Sequence, residues 1–394
     1  MDKKNKNPNV PNLRFPGFYN EWKKICIESL ITEEKIYTSD FEKYPLHSFT
    51  IELGIIPKTE RYERGFLIKK DGNLFKVVQQ NDFVMNPMNL RFGAINYSKV
   101  SKSISVSGYY NIFRIDNCKF NDFWNAYFKT PKILNLYNSI ATGSLVEKKR
   151  VHFSQFKKIK MYMPCELEKQ KIDTLIKLLD LRIETQSKII NDYISYRNAI
   201  VDHFFQSSSS EWKRVKLSNI LEEYTELHIK DNSIVHATLS KDGIFPKTDR
   251  YDRDFLVKND DKKYKVTHLN DICYNPSNLK FGVITRNTYG DCIISPIYVT
   301  FKIKNNYLPE FIELLVARKH FISKARKYEQ GTVYERMAVH PSDLLSMNIL
   351  IPSLTIQKRI ANIINTIDIK ISNEQKLLNL YIAQKGYLLK NMFI

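Results

Sequence analysis

Cysteine is sparse in this chain: Cys26, Cys118, Cys165, Cys273 and Cys292 are scattered, with no CxxC pair and no histidine at metal-ligand spacing. That excludes a disulfide framework and a zinc site, and it predicts reduced thiols in a cytoplasm. Long apolar runs are missing as well. No stretch approaches the roughly 18 consecutive apolar residues of a membrane span, and the start, MDKKNKNPNVPNLRFPGF, has no apolar core of a signal peptide, so neither spanning nor secretion is expected. Catalytic signatures are absent too: there is no GxGxxG, no Walker-type phosphate loop, no HExxH, no nucleophile elbow and no acidic–Lys cluster of a metal nuclease. The expectation is no catalytic residue, no metal and no cofactor. Acidic residues are outnumbered, 42 against 61 basic, for a formal charge of +19. Such an excess fits a polyanionic partner, because Lys and Arg neutralise phosphates and release their counterions.

What is present is enough hydrophobic residue, 43% of 394, to bury two or three cores. The organising stretch runs from Glu168 to Phe205 without Pro or Gly. Ile172, Ile176, Leu179, Ile183, Gln186, Ile190, Tyr193, Arg197, Ile200 and Phe204 recur at steps of four and three, which is a heptad seam on one long helix. The seam returns 188 residues later as Ile360, Ile364, Ile367, Ile371, Glu374, Leu378, Tyr381, Lys385, Leu388 and Met392. The chain is therefore a tandem duplication, each copy a globular segment followed by a helix.

Other matches keep nearly the same spacing, at 189 or 190 residues. Glu21-Trp22-Lys23-Lys24 is echoed by Glu211-Trp212-Lys213-Arg214, and both tryptophans are expected as core anchors. IIPKTERYERGFL (55–67) matches IFPKTDRYDRDFL (244–256), and NPMNLRFGAI (86–95) matches NPSNLKFGVI (275–284). Short β-branched runs such as FKVV, SISV, YKVT and IYVTFKI, parted by Asn, Asp and Gly, predict an irregular sheet, so each copy reads as α+β. The Ser-rich patch from Gln206 to Ser210 is the clearest linker.

Parallel long helices would force the second globular copy to bridge about 57 Å back along the first helix. Antiparallel helices let it close locally, which predicts a dumbbell with a pseudo-two-fold axis across the helix pair and the C-terminus returning to the first domain. The polar seam positions are expected to pair, Arg197 with Glu374 and Gln186 with Lys385, or else to reach solvent at the seam edge.

Candidate contact residues cluster in the repeated segments. Lys58, Thr59, Arg61, Tyr62 and Arg64, mirrored by Lys247, Thr248, Arg250, Tyr251 and Arg253, set cations and an aromatic beside a turn-forming proline. Asn89 and Arg91, mirrored by Asn278 and Lys280, follow an Asn-Pro turn. Arg can bind guanine bidentately, Asn can pair with adenine, and Lys or Thr can hold phosphate, so the set suits a DNA groove. Asn86-Pro87 and Asn275-Pro276 share two residues with the Asn-Pro-Pro-aromatic motif of amino-methyltransferases, but Met88 and Ser277 replace the second proline and the aromatic is missing. Turn chemistry accounts for them.

The opening LRFPGFYNEW, the duplicated layout, and helix starts such as Pro164 to Ile172 and Pro352 to Ile360 resemble the DNA specificity subunit of type I restriction-modification systems. The likeness covers essentially the whole chain. It implies two target recognition domains, 1–165 and 207–353, each reading half of a bipartite site in double-stranded DNA. Two long helices, 166–206 and 354–394, would join them and dock two methyltransferase subunits, with motor-nuclease subunits completing the complex. The family's subunit is itself non-catalytic. Recognition domains in that family usually differ from each other, whereas these two share long stretches, so related, inverted half-sites are expected. The competing readings are a self-contained methyltransferase or nuclease, for which no cofactor loop is found, and a basic DNA- or RNA-binding scaffold assembled through its coiled coil outside any restriction system.

Overall fold

The computed structural model describes residues 9–51, 54–58, 75–144, 149–206, 212–229, 233–247, 263–331 and 337–394. The chain divides into two compact units, Met1–Ile189 with Glu374–Ile394, and Ile190–Asn373.

In the first unit a four-stranded antiparallel sheet runs in the order Ile31–Glu34, Asn111–Ile115, Phe83–Met85, Ile95–Tyr97. Its strands are short and apolar, and Phe83, Met85, Ile95 and Phe113 lie wholly buried. The helices Asn121–Tyr127 and Pro131–Ile140 supply Phe123, Trp124, Tyr127 and Ile133 to the same core. A separate strand pair joins Lys23–Cys26 to Lys160–Met163, tying the start of the copy to the residues just ahead of the long helix. A hairpin, His47–Thr50 with Gly54–Pro57, and a three-stranded sheet through Phe75–Val78 enclose a smaller core around Val78, Val84, Ile104 and Val106.

The second unit repeats this plan. Its four-stranded sheet runs Leu221–Tyr224, Val299–Ile303, Ile272–Tyr274, Ile284–Arg286, and its strand pair joins Lys213–Lys216 to Asn348–Ile351. Here the hairpin Val235–Ser240 with Gly243–Pro246 is absorbed into a five-stranded sheet by a parallel pairing with Cys292–Ile294. Asn81 and Asn270 hold the same left-handed turn, at φ 72° and 74°. Asparagine tolerates that conformation because its short polar side chain bonds locally.

The seam does form long helices, Glu166–Gln206 and Leu354–Met392. Within each unit they run antiparallel. In the first, Gln186 bonds Glu374 and Arg182 bonds Tyr381, while Ile172 and Ile176 share the core with Met392. In the second, Lys370 lies over Tyr193 and Arg197 bonds Asp368, while Val201 shares the core with Ile360 and Ile364. The last residues return to the first unit's core, where Phe393 packs on Trp22, Phe123 and Tyr127.

The expected polar pairing is overturned. Gln186 Nε2 donates to Glu374 Oε2 at 2.6 Å, Arg197 takes Asp368 with Nε and Nη2 at 2.5 and 3.1 Å, and Lys385 takes Asp180. In an antiparallel pair of duplicate helices the middle position meets its own counterpart, so Gln186 crosses Glu374. The outer cations then find the acids that follow Leu179 and Ile367 at the seam's flank, the positions from which charges usually set register.

Candidate nucleic-acid interface

Of the residues singled out in the repeated segments, Thr59, Arg61, Tyr62 and Arg64, with Thr248, Arg250, Tyr251 and Arg253, lie outside the described residues. Their flanks are placed. Lys58 ends the first hairpin, its amide donating to Leu46 O at 3.1 Å, and Lys247 ends the second, its amide donating to His236 O at 2.9 Å. Each lysine is partly exposed at the same point of its copy. Gly54 opens the returning strand at φ +69°, where a Cβ would stand 2.4 Å from Asn96 Nδ2, so the hairpin leans directly on the strand that follows the Asn-Pro turn.

That turn is built identically twice. Asn86 Oδ1 accepts the Met88 amide at 3.1 Å, and Asn275 Oδ1 accepts the Ser277 amide at 3.1 Å. The asparagine amides bond Ala94 O and Val283 O, both at 3.0 Å, which closes a loop of equal size in each unit. Inside it a 3-10 turn buries Leu90 or Leu279 completely and stops at Gly93 or Gly282, left-handed at φ 88° and 83°. The Asn-Pro pair thus does turn chemistry, as expected. Asn89 and Asn278 are left exposed, and Arg91 and Lys280 partly so. In the first unit hairpin and turn meet at a 320 Å³ cleft lined by Phe49, Thr50, Ile51, Asn86, Asn89 and Ala94.

Sequence reading missed the aromatic beside each cation. Phe92 and Phe281 are 54% and 63% exposed, with the Arg91 guanidinium 4.7 Å and the Lys280 ammonium 5.4 Å from the ring centres. The motif match itself carried both phenylalanines; their exposure was the part that a sequence does not display.

A buried carboxylate lies at the turn before the central strand in each unit. Asp82, 1% exposed, receives the Gln79 amide at 2.7 Å and Arg114 Nε and Nη2 at 2.9 and 2.7 Å. Burial pushes its carboxyl above the usual range, opposed by the Gln79 amide and by Arg114. Asp271, 4% exposed, receives the His268 amide at 2.6 Å and the hydroxyls of Thr267 and Tyr224.

Chemically the arrangement offers a ligand cations, amide groups and apolar rings. Among the described residues no group of three or more His, Cys, Asp or Glu is placed to hold a metal ion, and no helix is long and apolar enough to cross a membrane. Fold and sequence together define a duplicated α+β protein with a long antiparallel helix pair.

No protein-family model matches the chain, and no curated protein matches it. Among solved structures it is similar to the S subunit of a type I restriction-modification system from M. genitalium, at 13% identity, over 98% of this chain and 99% of that one, with a TM-score of 0.55. It is also similar to a chain from a structure concerned with complex assembly and conformational transition of the type I R-M system, at 11% identity, over 97% and 99%, with a TM-score of 0.58. At these identities the likeness is one of fold, and it agrees with the resemblance carried by LRFPGFYNEW and the helix starts.

Proposed function

We propose that this chain is the non-catalytic specificity subunit of a type I restriction-modification complex, directing methyltransferase and motor-nuclease subunits in the cytoplasm to a bipartite DNA target. The observation that carries the reading is the likeness in fold over the full length of a type I S subunit, on a chain with a charge of +19. On this reading 1–165 and 207–353 are target recognition domains. Lys58, Asn89, Arg91, Lys247, Asn278 and Lys280, with the residues named above that lie outside the described segments, are the DNA contacts. The helices 166–206 and 354–394 carry two methyltransferase subunits. Exposed apolar residues at matching positions of the two helices support two equivalent docking faces: Leu181 and Ile369 are 57% and 54% exposed, Ile194 and Ile382 41% and 51%.

The test is a methylome of cells carrying this subunit with its partners. The expected target is interrupted and near-palindromic, with half-site centres about one helical turn, roughly 10 bp, apart. Exchanging 55–95 for 244–284 makes the site more symmetric and leaves the spacer unchanged. Two unrelated half-sites would sink the inverted-repeat reading, and native mass spectrometry showing one methyltransferase subunit at saturation would sink the two docking faces.

A further inference from the structure

We infer that Phe92 and Phe281 are wedges that enter the base stack of duplex DNA, one per half-site, with Arg91 and Lys280 anchoring the adjacent phosphates; this rests on the DNA-reading function proposed above. The rings are held rigidly. Each stands two residues after a completely buried leucine and one before a left-handed glycine, inside a loop closed by an Asn-Pro turn. A backbone fixed at three points cannot withdraw the ring, yet more than half of each ring's residue surface faces solvent. One exposed ring is ordinary on a protein surface; what points to binding is that the same braced ring, with a cation beside it, stands at the equivalent place of both units.

The duplication makes the feature a repeated one. Met88 has become Ser277 and Arg91 has become Lys280, so the turn has drifted, while ring, cation and glycine have stayed in register. What both copies keep serves what both half-sites share, the stack and the phosphates; what differs serves what distinguishes the half-sites. Charge decides the class of partner. A cation lying over each ring would have to be buried with it against an apolar protein surface, at a large desolvation cost. Against a duplex the same geometry is satisfied at once, because an apolar side chain can part a base step while a neighbouring cation meets the phosphate beside it.

The test uses the full chain and a labelled duplex that it selects from a random-sequence pool, with F92A, F281A, both together, and the Trp pair F92W/F281W. Because the rings are exposed, thermal melting of the variants should match the wild type. Each alanine is expected to weaken duplex binding about tenfold, the scale of one base–aromatic contact, without changing the salt slope, which charges set. The Trp pair keeps affinity. Permanganate oxidises unstacked thymines, so bound wild type should create reactive thymines that the double alanine variant does not. Alanine variants that bind as tightly as wild type, or that bind more weakly with thymine reactivity unchanged, overturn the wedge. So does unchanged duplex affinity with lost binding of the methyltransferase partner, which makes the rings a protein-docking site. A wild-type chain that retains no duplex from the pool removes the DNA-reading function itself and the wedge with it.

Discussion

Trp22 and Trp212 open the two copies, pack edge-on against matching phenylalanines at the ends of the long helices, and end in different surroundings. Trp22 is 2% exposed, with Tyr127 and Phe393 both 6.3 Å away and Nε1 donating to Glu168 at 3.2 Å. Trp212 has Phe205 at 5.5 Å and Phe311 at 6.1 Å, but it is only half-buried, on the wall of a 630 Å³ cleft that it shares with Arg214, Arg318 and Lys319. One position accounts for much of the difference. The Tyr127 hydroxyl shares its hydrogen between Tyr162 O at 2.9 Å and Ile394 O at 3.2 Å and accepts the Tyr162 amide, closing the first site. Leu315 stands at the matching place and has no hydroxyl to make those bonds. The apolar anchor survived duplication; the polar groups that seal it did not.

Deleting the rings should expose that difference. Trp22→Ala opens a cavity in a sealed core and removes a donor from buried Glu168, so a loss of about 4 kcal/mol is expected, against about 2 for Trp212→Ala beside an existing cleft. Equal shifts in urea midpoint would break the distinction. The buried carboxylates sharpen it from the polar side. Arg114→Met strips Asp82 of its guanidinium partner, a loss of about 3 kcal/mol near neutral pH. With Arg114 gone the folded-state pKa of Asp82 stands still further above its unfolded value. That cost is present above the folded pKa and disappears as pH falls below the unfolded one, so the penalty should be large at pH 8 and small at about pH 4. Tyr224→Phe leaves Asp271 its His268 and Thr267 donors and should cost about 1 kcal/mol.

The long helices, the duplication and the tryptophan anchors were legible because each is a pattern of apolar spacing, and burial enforces such spacing directly. Helix register was not. A heptad seam fixes which face is covered and leaves the axial stagger to the flanks, and Asp180 and Asp368, which take Lys385 and Arg197, lie one residue off the seam. Nor could sequence tell that Asp82 is met by Arg114 while Asp271 is met by Tyr224, since the two donors come from non-equivalent strands of the two units' four-stranded sheets. The Asn-Pro turns were readable as turns from local chemistry alone, but the exposure of Phe92 and Phe281 depends on the buried leucine and glycine that brace them.

Lys129 tests a place where the first unit carries a penalty. It lies in a 310 Å³ cleft with Asp180 and Lys385, and burial, with Lys385 adding to it, pushes its pKa down to about 8. A lysine whose folded pKa lies below its unfolded value destabilises the fold wherever it must be protonated: fully below the folded pKa, and not at all once pH exceeds the unfolded one. Lys129→Met should therefore raise stability by about 2 kcal/mol at pH 7, and the gain should fade as pH approaches about 10.5. Denaturant midpoints at both pH values check it; a gain independent of pH would assign the effect to packing instead.

The smallest expected effect separates the two flank pairs of the helices. Arg197 grips Asp368 with two nitrogens, whereas Lys385 meets Asp180 with its single ammonium. Asp368 and Asp180 are each over a third exposed, at 43% and 35%, so solvent screens both interactions heavily. Double-mutant cycles should return less than about 1 kcal/mol for either pair, with Arg197–Asp368 the stronger because a planar fork loses less freedom per bond than a flexible ammonium. A cycle between Arg197 and Glu374 should return nothing, since Glu374 is taken by Gln186. Coupling there, with none between Arg197 and Asp368, would move the stagger of the helix pair by about 9 Å, nearly two turns, and undo the crossing of Gln186 over its own counterpart.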